Sequence, residues 1–160
     1  MKTLKELRAD HNEFLNKIPD YLKQLKGKLN INQLSFSLEE LDKVELYYTE
    51  NYKNPEKEGL TKFELDKLFE AYYGTAFLWY FGGEWVLETS KAYFTYGLTC
   101  IEKYGGKGYG WISFSIRDTH YVIETNQTEE PYSKEFERRI NYFNRQTKFV
   151  LEPVRDYSLL

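Results

Sequence analysis

The chain has 160 residues, of which 41% are hydrophobic and 29% charged, a composition that predicts one folded domain spanning residues 1–160. The net charge is −3, and the basic residues do not form a stripe, which disfavours binding to nucleic acid. The N-terminus has no apolar signal region, no apolar run reaches about 18 residues, and Cys100 is a lone cysteine. We therefore expect a cytoplasmic protein without a membrane span or an internal disulfide.

The first predicted element is a helix, because apolar residues recur at three- and four-residue steps from Leu4 to Leu25. Pro19 interrupts this stripe and removes one amide donor, which predicts a kink or a break into two helices near Lys17. His11 lies on the stripe, where a histidine that serves the core is the simpler interpretation.

Two further helices are indicated by their N-caps. Ser37 precedes an acidic first turn, which the helix dipole favours. Thr61 and Glu64 form a capping box, and the helix that follows is apolar on most sides after Phe69, so it should be central and buried. Gly74 costs about 1 kcal/mol there relative to alanine, which predicts the close approach of another backbone.

After Gly82 and Gly83 the apolar period changes to two, which predicts strands at 85–88, 92–96, 111–117 and 121–124. A glycine-rich loop at 104–110 joins two of them, and 149–151 could form a terminal strand. Pro131 and Ser133 introduce a last helix with Phe136, Ile140 and Phe143 inward and Arg138, Arg139 and Arg145 outward. The order predicts an α+β fold, with N-terminal helices packed on a small antiparallel sheet and a C-terminal helix.

The sequence shows no paired nucleophile and base, no metal-ligand spacing and no phosphate loop. His120 lies near Asp118, but Asp118 and Thr119 resemble a turn rather than a continuing strand. Cys100 lies in an apolar setting typical of a buried thiol. We expect no catalytic residue, no metal and no cofactor.

Acids crowd the second helix: residues 37–70 hold ten acids and five bases. A solvated helix face is the simpler interpretation of this pattern. The alternative is an acidic recognition patch with tyrosines, since charge steers a basic partner and rings supply buried area. The candidate partner-binding residues are Glu39, Asp42, Glu45, Tyr48 and Tyr52.

The motif Ala71-Tyr72-Tyr73-Gly74, followed by Gly82-Gly83-Glu84-Trp85, resembles a group of small bacterial proteins. The group includes the immunity proteins encoded beside polymorphic or contact-dependent toxins, and it commonly has Glu where this chain has Thr75. The resemblance implies a cytoplasmic α+β protein that neutralises a toxin by binding, without catalysis. It also implies structural roles for the motif residues Tyr72, Gly74, Gly82, Gly83 and Trp85.

Three hypotheses follow. The first is a non-enzymatic immunity protein, a monomer or weak dimer when free, whose partner is a cognate toxin domain and which binds neither nucleic acid nor membrane. The second is a small-molecule-binding or enzymatic α+β domain, with an aromatic pocket lined by Tyr72, Trp79, Trp85 and Trp111. The third is a structural subunit of a larger assembly, which would be an obligate oligomer.

Overall fold

The computed structural model describes residues 2–93, 95–104 and 131–145. Within these ranges the elements are α1 (Leu4–Lys28), α2 (Leu38–Asn51), a short 3-10 helix (Pro55–Glu58), α3 (Lys62–Phe81), β1 (Glu84–Leu87), β2 (Thr99–Glu102) and α4 (Tyr132–Arg145). Helices with a small antiparallel sheet and a C-terminal helix confirm the predicted α+β class. The strands predicted at 111–117, 121–124 and 149–151, together with Trp111 and His120, lie outside the described residues.

Helix α1 runs through Pro19, so the predicted break into two helices is wrong. Proline removes one backbone hydrogen bond, but packing holds the two halves together on either side of it. Phe14 and Ile18 before the proline and Leu22 and Leu25 after it are all buried in the common core. Tertiary packing against α3 therefore outweighs the local cost of the proline.

The predicted helix starts are confirmed. The Ser37 hydroxyl accepts a hydrogen bond from the amide of Glu40 at the start of α2. At the start of α3, the Thr61 hydroxyl accepts from the amide of Glu64, and the Glu64 carboxylate accepts from the amide of Thr61 at 2.7 Å. These bonds satisfy amides that the first helical turn leaves without partners.

Helix α3 is the centre of the molecule, as predicted, and most of its residues from Leu65 to Leu78 are buried. Three of its tyrosines donate hydrogen bonds to the start of α2 or to the segment just before it. Tyr72 donates to the Glu40 carboxylate at 2.8 Å, Tyr73 to the Leu41 carbonyl at 2.6 Å and Tyr80 to the Phe36 carbonyl at 2.8 Å. The rings bury apolar area, and their hydroxyls orient α3 relative to residues 36–41. Part of the high tyrosine content is therefore explained by packing in the core.

The Glu40 side chain is the polar centre of this contact, although it is only 8% exposed. Besides Tyr72, it accepts hydrogen bonds from the amides of Ser35 and Phe36 and from the Ser35 hydroxyl. Burial first, and then the Glu40 carboxylate, raise the pKa of the Tyr72 phenol above its usual value. Tyr72 therefore remains a hydrogen-bond donor, and the buried carboxylate is satisfied.

Strands β1 and β2 pair antiparallel, with Trp85 opposite Ile101 and Val86 opposite Cys100. Cys100 is fully buried, as its apolar setting predicts. The strand predicted at 92–96 is wrong: the described residues there form turns, with the Tyr96 amide donating to the Tyr93 carbonyl at 3.1 Å. Alternating apolar and polar residues form a strand only where the backbone can pair with the edge of another strand.

Helix α4 places Phe136 in the core, as predicted, against the rings of Tyr73, Phe77 and Phe81. Arg138 is exposed, but the outward position predicted for Arg139 is wrong. Its guanidinium lies 5.5 Å from the Phe77 ring centre and donates to the Tyr104 hydroxyl at 3.4 Å. A long arginine stem covers apolar surface, which favours this inward path.

Candidate functional site

The two candidate tyrosines on and after α2 do not lie on the surface. Tyr48 is 1% exposed, stacks on Phe69 with ring centres 4.1 Å apart, and donates to the Asp66 carboxylate at 2.7 Å. Tyr52 is 6% exposed beneath the Lys62 ammonium. The surface position expected for these two rings is not found, because both are buried in the core, and their part in partner binding stays a prediction.

Two of the three candidate acids of α2 face outward. Glu39 and Asp42 are exposed, and Glu45 is half-buried. The hydrogen bond from Lys43 holds the pKa of Glu39 below its usual value. Leu46, 58% exposed, lies one turn after Asp42 on the same side of the helix. We call Glu39, Asp42 and Leu46 the α2 face; its part in binding stays a prediction.

A groove of about 630 Å³ lies between α1, α3 and the turn end of the β1–β2 hairpin. Its aromatic lining consists of Phe14, Tyr21 and Phe63. Three lysines also line it, together with the four acids Asp10, Glu13, Asp66 and Glu70. The structure thus gathers acids and aromatic rings on one concave surface, formed by residues other than those the sequence singled out.

Inside the groove, the Lys67 ammonium is held by rings and a carboxylate. Its Nζ lies 4.6 Å from the ring centre of Phe14, 5.7 Å from that of Phe63 and 2.5 Å from a carboxylate oxygen of Glu70. The side chains of Lys67 and Glu70 are 23% and 17% exposed, whereas Phe63 is 66% exposed at the rim. We call Phe14, Phe63 and Glu70 the cation cage, since aromatic faces and carboxylates both attract a cation.

His11 lines the groove where α1 meets the hairpin. Its Nδ1 lies 3.0 Å from the Thr99 hydroxyl, which is 88 positions away in sequence. Burial lowers the pKa of His11 below its usual 6.5, so the ring is neutral at pH 7. A hydroxyl beside a neutral imidazole is the one arrangement in the groove that resembles a nucleophile and its base.

Of the motif residues, Gly74, Gly82, Gly83 and Trp85 lie at the junction of α3 and the hairpin, whereas Tyr72 contacts the start of α2; none of them lines the groove. A β-carbon on Gly74 would lie 1.9 Å from Cη2 of Trp85, so an indole ring, and not the expected backbone, packs against the glycine. Gly82 and Gly83 adopt φ of 68° and 104°, and a β-carbon on Gly83 would lie 2.5 Å from the Glu102 carbonyl oxygen. Glycine permits both the turn and the close pairing of the strands.

Tyr72, Trp79 and Trp85, the residues of the second hypothesis that the structure describes, do not line a common pocket. Tyr72 is fully buried, and Trp85 fills the space between Gly74 and Phe14, whose ring centre lies 5.6 Å away. These rings fill the core because α3 packs directly on the hairpin. Thr75, where the resembling group commonly has Glu, is also fully buried, and its hydroxyl has no hydrogen-bond partner among the described residues.

Within residues 2–93, 95–104 and 131–145, no three His, Cys, Asp or Glu side chains are grouped as metal ligands. None of the helices in the described part of the chain is long and apolar enough to cross a membrane. No family model, curated protein or solved structure matches this chain. The function is therefore argued from the groove and the α2 face themselves.

Proposed function

We propose that this protein is a non-enzymatic immunity protein, which neutralises a cognate bacterial toxin in the cytoplasm by binding it. The observation that carries the proposal is the groove, where four acids and the rings of Phe14, Tyr21 and Phe63 line one concave surface. Acids accelerate the encounter with a basic partner, and aromatic rings supply the area that is buried once it is bound.

The α2 face is a second acidic surface, and it carries an exposed apolar side chain. Leu46 lies among Glu39 and Asp42, so a partner that covers it removes apolar area from water while its basic residues approach the carboxylates. A stoichiometric inhibitor of a lethal enzyme must keep nearly all of it occupied. We therefore expect a dissociation constant of about 1 nM or lower.

The test is co-expression with the toxin domain encoded by the neighbouring gene. We expect the protein to restore growth and to form a 1:1 complex with that domain in size-exclusion chromatography with light scattering. Failure of both protection and complex formation would contradict the proposal. Catalytic turnover by the purified protein alone would contradict it as well.

Charge reversal tests the α2 face separately. Asp42→Lys should slow association with the toxin domain and weaken its salt dependence, because long-range attraction acts mainly on the encounter. Asp20→Lys is the matched control, since Asp20 is an exposed acid on α1 that lines neither surface. Stopped-flow kinetics at two salt concentrations measure both effects. Equal rates for the two variants would remove the α2 face from the interface.

The His11–Thr99 pair favours a second candidate, an enzyme or small-molecule-binding protein that uses the groove. Under this alternative, a metabolite library should contain a compound that raises the melting temperature of the wild-type protein. Thr99→Val keeps the shape of the side chain and removes the hydroxyl, so it should abolish that effect or any turnover. A ligand that stabilises Thr99→Val equally well would exclude the pair from its site.

A further inference from the structure

The cation cage already binds a cation in the free protein. Lys67 reaches from α3 across the groove to the face of Phe14 on α1, while Glu70, three residues later on α3, neutralises its charge. Such contacts strengthen as water is excluded, and about three quarters of the Lys67 side chain is removed from solvent. The position of the ammonium is therefore a cation site that an intramolecular group occupies.

The groove around this site can exchange one cation for another. Each of its three lysines forms an ion pair with a groove acid, at distances of 2.5 to 2.6 Å, and the acids outnumber the lysines by one. The pairs of Lys2 with Asp10 and of Lys17 with Glu13 are exposed and contribute little to stability, so a competing cation displaces them at small cost. The Lys67 and Glu70 side chains are only 23% and 17% exposed, so a cation that replaces Lys67 must itself contact Glu70 and the rings. Phe63 is 66% exposed at the rim, so its ring is available to contact a cation that binds in the groove.

Arginine fits the cation cage better than the resident lysine does. Its planar guanidinium stacks on an aromatic face and donates two parallel hydrogen bonds to one carboxylate, whereas an ammonium acts as a point charge. The groove volume of about 630 Å³ lies in the range of pockets that take drug-sized ligands, so it holds an arginine side chain with its flanking backbone.

We propose that an arginine-bearing segment of a protein partner docks in the groove, its guanidinium taking the place that the Lys67 ammonium holds between Phe14, Phe63 and Glu70. This inference rests on the proposed function, because it gives the chemistry of the partner at the surface that carries that function. In the free protein the Lys67 ammonium occupies the cation cage, and on binding the guanidinium of the partner displaces it into solvent.

The test is an NMR titration of the full-length protein with acetyl-arginine amide, using acetyl-citrulline amide as an uncharged probe of nearly equal shape. We expect chemical-shift changes at Phe14, Phe63 and Glu70 with the arginine probe and much smaller ones with citrulline. Lys67→Met removes the resident cation and should tighten arginine binding roughly two- to fivefold. Glu70→Gln should weaken it.

The matched control is Lys43→Met, which makes the same change of net charge on α2. Lys43 pairs with Glu39 at 2.9 Å, so it too is the basic partner of an acid on a helix surface, but it does not line the groove. A thermal melt of each variant confirms that it is folded. Equal tightening by Lys43→Met and Lys67→Met would show a general charge effect and overturn the inference. Equal binding of the two probes would overturn it as well.

The toxin domain separates this inference from the proposed function. If Lys67→Met and Phe63→Ala leave the affinity of a formed complex unchanged, the groove is not its docking site and the inference fails, while the proposed function stands. If the groove binds the arginine probe as described but the toxin domain is neither bound nor neutralised, the cation site stands and the proposed function fails.

Discussion

Gly74→Ala tests the contact that joins α3 to the hairpin. In an open helix this change stabilises by about 1 kcal/mol, because alanine has the better helix propensity. Here the new β-carbon would lie 1.9 Å from Cη2 and 2.4 Å from Cζ2 of Trp85. Carbon atoms pack at about 3.5–4.0 Å, and overpacking typically costs about 1–3 kcal/mol. Taking the upper end of that range, we expect a net loss of about 2 kcal/mol.

Urea unfolding followed by circular dichroism measures this loss as a shift of the midpoint at constant slope. Gly27→Ala is the matched control, because Gly27 lies near the end of α1 and a β-carbon there meets no atom within 4 Å. The control should be neutral or more stable than wild type by up to about 1 kcal/mol.

A double-mutant cycle assigns the cause. Trp85→Leu removes the ring atoms that would meet the new methyl group, so in this background Gly74→Ala should no longer destabilise the protein. In the Trp85→Leu background only the gain of about 1 kcal/mol in helix propensity remains, so the coupling energy should be about 3 kcal/mol, well above the roughly 0.3–0.5 kcal/mol typical of independent sites. Wild-type stability of Gly74→Ala, or an equal loss in both backgrounds, would refute the proposed steric conflict.

Three further predictions concern polar groups. Glu40→Gln should lower the free energy of unfolding in urea by about 1–3 kcal/mol, because one amide oxygen cannot accept all the hydrogen bonds that two carboxylate oxygens accept. The control Glu39→Gln changes an exposed side chain and should have little effect on that free energy. Burial lowers the pKa of His11 below 6.5, so the unfolded chain takes up the proton first as the pH falls. Stability should therefore decline below about pH 6.5 and level off below the folded-state pKa, and the melting temperature of His11→Gln should lack this slope between pH 7 and pH 5. Thr61→Ala should cost about 1 kcal/mol in the same urea assay by removing the cap of α3, and an unchanged midpoint would show that the cap contributes nothing.

Local chemistry made part of the fold predictable. The cap at Ser37 and the capping box at Thr61 involve residues at most three positions apart, so the sequence contains the whole interaction. The apolar coverage of α3 likewise indicates a central helix without further information. Pro19 shows the limit of such reasoning, because packing on both sides of it decides whether the helix continues.

The candidate site was less predictable because it depends on contacts between distant elements. The alignment of α1 with β2 brings His11 to Thr99, and nothing near either residue encodes that pairing. Tyr48 follows Leu41 and Val44 at three- and four-residue steps, on the buried side of α2, and this spacing argues against its use as a surface ring. Phe63 precedes Phe69, where the all-round apolar coverage of α3 begins, and that position was the available signal for an exposed aromatic residue beside Lys67.

The hydrogen bonds that Glu40 and Tyr80 make around Phe36 have a mechanical consequence. Residues 35–37 are irregular in backbone, yet their amides and a carbonyl are tied to α2 and α3 from two sides. We expect a connection held in this way to resist bending rather than act as a hinge. The beginning of α2 should therefore stay fixed to α3 when its outer surface is loaded, because the Tyr72 and Tyr80 hydroxyls join the two elements.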